Sequence, residues 1–264
     1  MPETKVQAPG TFCWSELAVA NGKNARKFYG DLFGWTVRES AADQPFQYGM
    51  LQRDGREVGG IYEITGDMKA QGVPPHWMAY VAVRSADEIA AKVPQLGGKV
   101  MMGPADVMTA GRMAVLQDPT GAIFSVWQAR DHVGSAVTGE TGTPVWYELI
   151  TSDKNEAGAF YAALFGWKLE SFLGSMDYTI LKNGEASVGG MMQRTEEMGE
   201  VPSHWVIYFT VDDADDAVSK AEKGGGRVLA GPMEIPNVGR FAVLADPDGA
   251  VFAVLKPNPA SGDV

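Results

Sequence analysis

The sequence predicts an α+β fold: four βαβββ modules arranged as two tandem domains, residues 8–130 and 142–257. Three observations carry this. Long segments of the first half return in order in the second, each half shows the order strand, helix, three strands twice over, and the composition is that of a folded chain. Of 264 residues, 45% are hydrophobic and 21% charged, enough for each copy to bury its own core.

The repeat fixes the organisation. GTFCWSEL from Gly10 returns as GTPVWYEL from Gly142, 132 residues on. VGGIY at Val58 returns as VGGMM at Val188, an offset of 130. VPPHWMAYVAV at Val73 and GRMAVLQDPTGAIFSV at Gly111 return at Val201 and Gly239, both offset by 128. The four residues lost fall in loops, where length changes cost little. The Gly/Ser/Thr-rich stretch from Arg130 to Thr143 reads as the linker.

Phe12 to Val19 alternates apolar and polar side chains and reads as a strand. Asn24 to Phe33 places Ala25, Phe28, Tyr29 and Leu32 on one helical stripe, and Gly34 supplies the left-handed stop. Strands follow at Thr36–Glu39, Phe46–Gln52 and Val58–Ile64, with Asp54-Gly55 as a turn. The second module repeats the order. Trp77 to Val83 is a strand, Ser85 caps a helix carrying Ala86, Ile89, Ala90 and Val93, and strands follow at Lys99–Met102, Arg112–Gln117 and Ala122–Trp127. Asp118-Pro119-Thr120-Gly121 and Asp246-Pro247-Asp248-Gly249 are turn sequences. The VGG triplets mark close backbone approach or a bulge, and the acidic run Asp212 to Asp216 opens a helix.

The net charge of −11 argues against nucleic-acid partners, which need clustered Lys and Arg, and gives no support for an anionic membrane. The single cysteine, Cys13, leaves no internal disulfide or thiolate zinc cluster. Met1 to Gly10 lacks the apolar core of a signal peptide, and no apolar run is long enough to span a bilayer. A cytoplasmic protein is expected.

Paired βαβββ modules with FYxxLFGW after the first strand and DPxG before the last resemble the vicinal oxygen chelate superfamily, which includes glyoxalase I, bleomycin-resistance proteins and extradiol dioxygenases. WxEL, HWxxY and GRxAVLxDPxGAxF are similar to a tandem glyoxalase-like group labelled "hydroxylase". The resemblance spans Gly10 to about Lys256 and implies a cup with one metal ligand on each of four strands. Laid on this chain, those positions fall on Trp14, Gly60, Met78 and Ser125, and on Trp146, Gly190, Val206 and Ala253. None is a good ligand, so no metal residue is assigned. The cofactor is left unknown, with a divalent metal not favoured.

If Leu17 and Val19 face the helix, alternation turns Trp14 and Glu16 to the opposite face. His76, Met78 and Tyr80 share a face, as do Ser125 and Trp127, and the second copy offers Trp146, Glu148, His204 and Tyr208. Glu16, His76, Glu148 and His204 are the candidate acid-base residues. Trp14, Met78, Tyr80, Trp127, Trp146 and Tyr208 are the candidate ligand-binding residues. The opposing structural reading is also open: a strand Trp is often core, and a duplicated Glu or His can be a duplicated structural hydrogen bond.

The expected function is binding of a small apolar or aromatic metabolite without the four-ligand metal site. The alternatives are a glyoxalase-like lyase or hydroxylase acting on a small carbonyl compound, and an interaction protein with vestigial cavities. Four modules in one chain can mimic the dimer of single-copy relatives, which favours a monomer while a homodimer stays open. Whether modules pair within or across copies is undecided from sequence.

Overall fold

The computed structural model describes residues 7–39, 48–172 and 177–258. The first copy runs β1 (Phe12–Val19), α1 (Gly22–Phe33), β2 (Thr36–Glu39), β3 (Tyr48–Arg53), β4 (Arg56–Glu63), α2 (Gly66–Ala70), β5 (His76–Ala82), α3 (Ala86–Lys92), a 3-10 turn at Val93–Leu96, β6 (Lys99–Val107), β7 (Gly111–Gln117) and β8 (Ile123–Ala129). The second runs β9 (Pro144–Thr151), α4 (Lys154–Phe165), β10 (Lys168–Ser171), β11 (Tyr178–Asn183), β12 (Ala186–Gln193), a 3-10 turn at Glu196–Met198, β13 (His204–Thr210), α5 (Ala214–Lys223), β14 (Arg227–Ile235), β15 (Gly239–Ala245) and β16 (Val251–Pro257). The strands form two eight-stranded sheets, ordered β2-β3-β4-β1-β5-β8-β7-β6 and β10-β11-β12-β9-β13-β16-β15-β14. Among the described residues no helix is long and apolar enough to cross a membrane.

Local chemistry explains the element boundaries. Asn21, Ser85, Asp153 and Asp213 each accept a hydrogen bond from a backbone N–H in the first turn of the helix that follows. The Asn21 cap starts α1 at Gly22, earlier than the Asn24 expected from the apolar stripe alone. Gly34 and Gly166 end α1 and α4 at φ of 71° and 75°, the left-handed conformation that glycine takes without strain. Asp54 and Gly55 both have positive φ, so the β3–β4 hairpin closes on a two-residue turn of the kind whose twist matches its strands. Phe46, placed in a strand from sequence, lies outside the described residues. The short helix α2 and the extension of β6 to Val107 carry no apolar periodicity, and the sequence pattern missed both.

Tertiary contacts gather the chain into two compact units, and neither coincides with a sequence copy. One takes the described residues up to Trp14, Met78–Gly134 and Trp146–Val206. The other takes Ser15–Trp77, Ser135–Val145 and Ile207 onward. Each unit therefore draws residues from both copies.

The same buried relay sits in each. In the second unit Trp77 Nε1 donates to Tyr29 Oη (3.0 Å), which donates to Asp246 Oδ2 (3.1 Å). In the first, Trp205 donates to Tyr161 (2.9 Å), which donates to Asp118 Oδ2 (3.0 Å). The other carboxylate oxygen of Asp118 accepts from the Thr120 and Ala122 backbone and from the Thr120 hydroxyl. Phe252 packs against Phe28 and Tyr29, and Phe124 against Phe160 and Tyr161. The DPxG sequence thus does more than turn the chain. Its aspartate is buried and holds the helix tyrosine of the other copy, which is a long-range role that turn chemistry cannot reveal.

Candidate functional site

The VGG triplets lead to the site, and the second copy shows why two glycines are needed there. A Cβ on Gly59 would lie 2.7 Å from the Ser15 carbonyl oxygen, and one on Gly189 would lie 2.5 Å from that of Tyr147. The first glycine of each pair therefore lets β4 or β12 approach its parallel neighbour. The second serves another purpose. A Cβ on Gly190 would fall 2.0 Å from Tyr178 Oη and 2.3 Å from its Cζ, so the phenol ring lies directly across the glycine.

Register explains the reach. Gly190 is paired with Glu148 on β9 and with Ile180 on β11, and Tyr178 pairs with Met192 in the next row. The tyrosine crosses diagonally over the bare backbone to the carboxylate. Its hydroxyl accepts from Trp146 Nε1 at 2.8 Å and hydrogen-bonds to Glu148. Burial, then the Glu148 charge, push the phenol well above its ordinary pKa, so it is held as a neutral donor.

The first copy carries the same pair. Gly60 pairs with Glu16 and Met50, and Tyr48 pairs with Tyr62. Tyr48 Oη donates to Glu16 Oε2 at 2.7 Å. Tyr62 is raised above its ordinary value by burial and by the Glu16 charge. Tyr48 and Tyr178, 130 residues apart like the VGG triplets, were not among the residues picked from sequence. Their recurrence at that shared offset is the signal that could have found them.

The other predicted residues divide differently. His76 and His204 are half-buried at the starts of β5 and β13. Each Nδ1 bonds the carbonyl two residues earlier, of Pro74 at 2.8 Å and of Pro202 at 2.7 Å. Burial lowers both imidazole pKa values against the opposing pull of those carbonyls. Neither histidine hydrogen-bonds its copy's glutamate, so the structure does not bring Glu and His together as a bonded acid-base pair. Met78, half-buried, and Tyr80, buried, lie on the face of β5 away from the helix-bound Trp77. Tyr80 is paired with Ser125, and Trp127 with Ala82. Trp14 is buried with its ring 4.6 Å from that of His132 and edge-on to it, and Trp127 donates to the His132 carbonyl oxygen at 2.8 Å. His132, from the linker, thus packs against two of the predicted ligand-binding indoles. Tyr208 is paired with Ala253, its ring 6.2 Å from that of Phe241. Two surface grooves, of about 370 Å³ beside Lys27, Phe28 and Lys220 and about 180 Å³ beside Arg84, Ile89 and Phe165, contain none of the predicted residues.

This sheet order and the paired motifs can be set beside known proteins. The family model for the Glyoxalase/Bleomycin resistance protein/Dioxygenase superfamily matches residues 12–126 and again 143–254. The chain belongs to that superfamily. Among curated members of similar sequence, "Putative glyoxylase CFP32" of Mycobacterium tuberculosis is 42% identical over 262 residues, covering 98% of this chain and 99% of its own. Anthracycline biosynthesis protein DnrV of Streptomyces peucetius is 34% identical over 260 residues, covering 94% of each. The fold is also that of the Mn(II)-bound glyoxalase from Novosphingobium aromaticivorans (TM-score 0.64, 16% identity, 97% of this chain and 90% of that one).

The donor set decides whether the superfamily's metal chemistry fits this chain. At the positions where ligands are expected, this chain has Trp14, Gly60, Met78 and Ser125, then Trp146, Gly190, Val206 and Ala253. Gly190 is covered by Tyr178. Among the described residues no three His, Cys, Asp or Glu side chains gather at one point. These residues do not fit a four-ligand metal.

Proposed function

We propose that this glyoxalase-superfamily chain binds a small aromatic or apolar metabolite carrying an oxygen function. The supporting observation is the duplicated tyrosine–carboxylate pair, Tyr48–Glu16 and Tyr178–Glu148, the second of them seated over the bare backbone of Gly190. A neutral phenol beside a carboxylate offers a directed donor and acceptor, while neighbouring indoles supply apolar area. The name of DnrV, which places that relative in anthracycline biosynthesis, supports a polycyclic aromatic compound.

The test is a thermal-shift screen of aromatic ketones, quinones and aldehydes, each with and without divalent cations. Stabilisation by an aromatic compound without metal, reduced in Tyr48→Phe or Tyr178→Phe, is the expected result. Stabilisation that requires stoichiometric metal would overturn the reading.

A second reading is a lyase or hydroxylase acting on a small carbonyl compound. What favours it is Tyr178, which both accepts from Trp146 and bonds Glu148, leaving a polarised hydroxyl able to relay a proton. Turnover of a bound carbonyl compound that disappears in Glu148→Gln would establish it.

A further inference from the structure

We propose that the Ser125 hydroxyl is a ligand contact that selects an oxygen-bearing aromatic compound in the first copy. The inference rests on the aromatic-ligand reading above. Ser125 lies on β8, paired with Tyr80 on one side and Val115 on the other, on the same strand face as Trp127. It is 0% exposed, and its Oγ has no hydrogen-bond partner among the described residues. A buried hydroxyl with no protein partner costs stability unless another group comes to satisfy it.

The second copy is an internal control. Ala253 occupies the equivalent position, paired with Tyr208 and Val243 in the same register and equally buried. The fold therefore asks only for a methyl group here. The oxygen of Ser125 is surplus to packing and to secondary structure. Thr210 on β13 is the reverse case: its Oγ1 is buried and unpartnered, and the first copy has Ala82 there. Among the described residues each copy thus carries one such hydroxyl, at a different place, so the two faces are not interchangeable.

The chemistry of the neighbours narrows what Ser125 meets. The Trp127 indole N–H is already committed to the His132 carbonyl, so that ring offers only apolar surface. A planar ring laid against it would find its polar partner in Ser125, which can donate to a carbonyl or accept from a hydroxyl.

The test uses the full chain and the soluble hydroxyanthraquinone daunorubicin, titrated by fluorescence at physiological salt. In Ser125→Ala the ligand-free melting temperature should stay or rise by up to about 3 °C. The Kd should rise about tenfold, the worth of one hydrogen bond. A lower ligand-free melting temperature would show that the hydroxyl already has a structural partner and would overturn the assignment. So would a Kd equal to that of the wild type. Failure of the wild-type chain to bind the probe counts against the proposed function and this inference together, whereas tight wild-type binding left unaltered by Ser125→Ala counts against the inference alone.

Discussion

Gly190→Ala should be destabilising, although the backbone there is ordinary strand, where alanine is normally the better residue. Replacing glycine by alanine at a compatible site typically stabilises by about 0.4–1 kcal/mol. Here the added Cβ would sit 2.0 Å from Tyr178 Oη and 2.4 Å from its Cε1, so the ring must leave its seat. Leaving breaks a bond to the Glu148 carboxylate, worth about 1.5–3 kcal/mol, and one from Trp146, worth about 0.5–1.5 kcal/mol. Set against the backbone gain, a net loss of about 1–4 kcal/mol is expected. The decisive measurement is a double-mutant cycle with Tyr178→Ala, read from urea unfolding midpoints. With the ring gone, Gly190→Ala should become neutral or stabilising, giving a coupling of roughly 2–4 kcal/mol. Additivity to within about 0.5 kcal/mol would refute the argument that this glycine exists to seat the tyrosine.

Three other outcomes follow from the buried groups. Tyr161→Phe removes the acceptor of Trp205 Nε1 and a donor to Asp118, leaving two buried polar groups short of a partner, and should cost about 2–4 kcal/mol in urea unfolding; a loss below about 1 kcal/mol would mean that water replaces the phenol. Burial lowers His76 and His204, so their stabilising contribution is complete above the ordinary imidazole pKa and is lost as pH falls through the folded values. NMR titration should place both midpoints below the ordinary value, and a midpoint above it would contradict the burial. Cys13 is buried with its Sγ directed to the Tyr80 carbonyl, and burial pushes its thiol up to about 12, so alkylation should require unfolding. Rapid labelling of the native chain would disprove this.

How much of the site could be read in advance depended on sequence distance. Glu16 and Glu148 were candidates because alternation along one strand assigns a face from local pattern alone. Tyr48 and Tyr178 were missed because their partners lie two strands away, in a register that no single strand encodes; for Tyr178 the link runs across Gly190. His76 and His204 recur in both copies, as does the glutamate, yet each spends its Nδ1 on a carbonyl two residues back. Recurrence identified them, but only coordinates separated a local turn bond from a bond to the carboxylate.

The duplication, the αβ order of each module, the helix cap at Ser85, the helix opened by the acidic run at Asp213, and the glycine stop at Gly34 were all determined by sequence, because each depends on residues within one or two turns of chain. Tertiary structure alone decided that each compact unit takes residues from both copies, and that Asp118 and Asp246 anchor Tyr161 and Tyr29 of the opposite copy. The two copies are so alike that their local patterns fit either partner, and only the packing of whole modules selects between them.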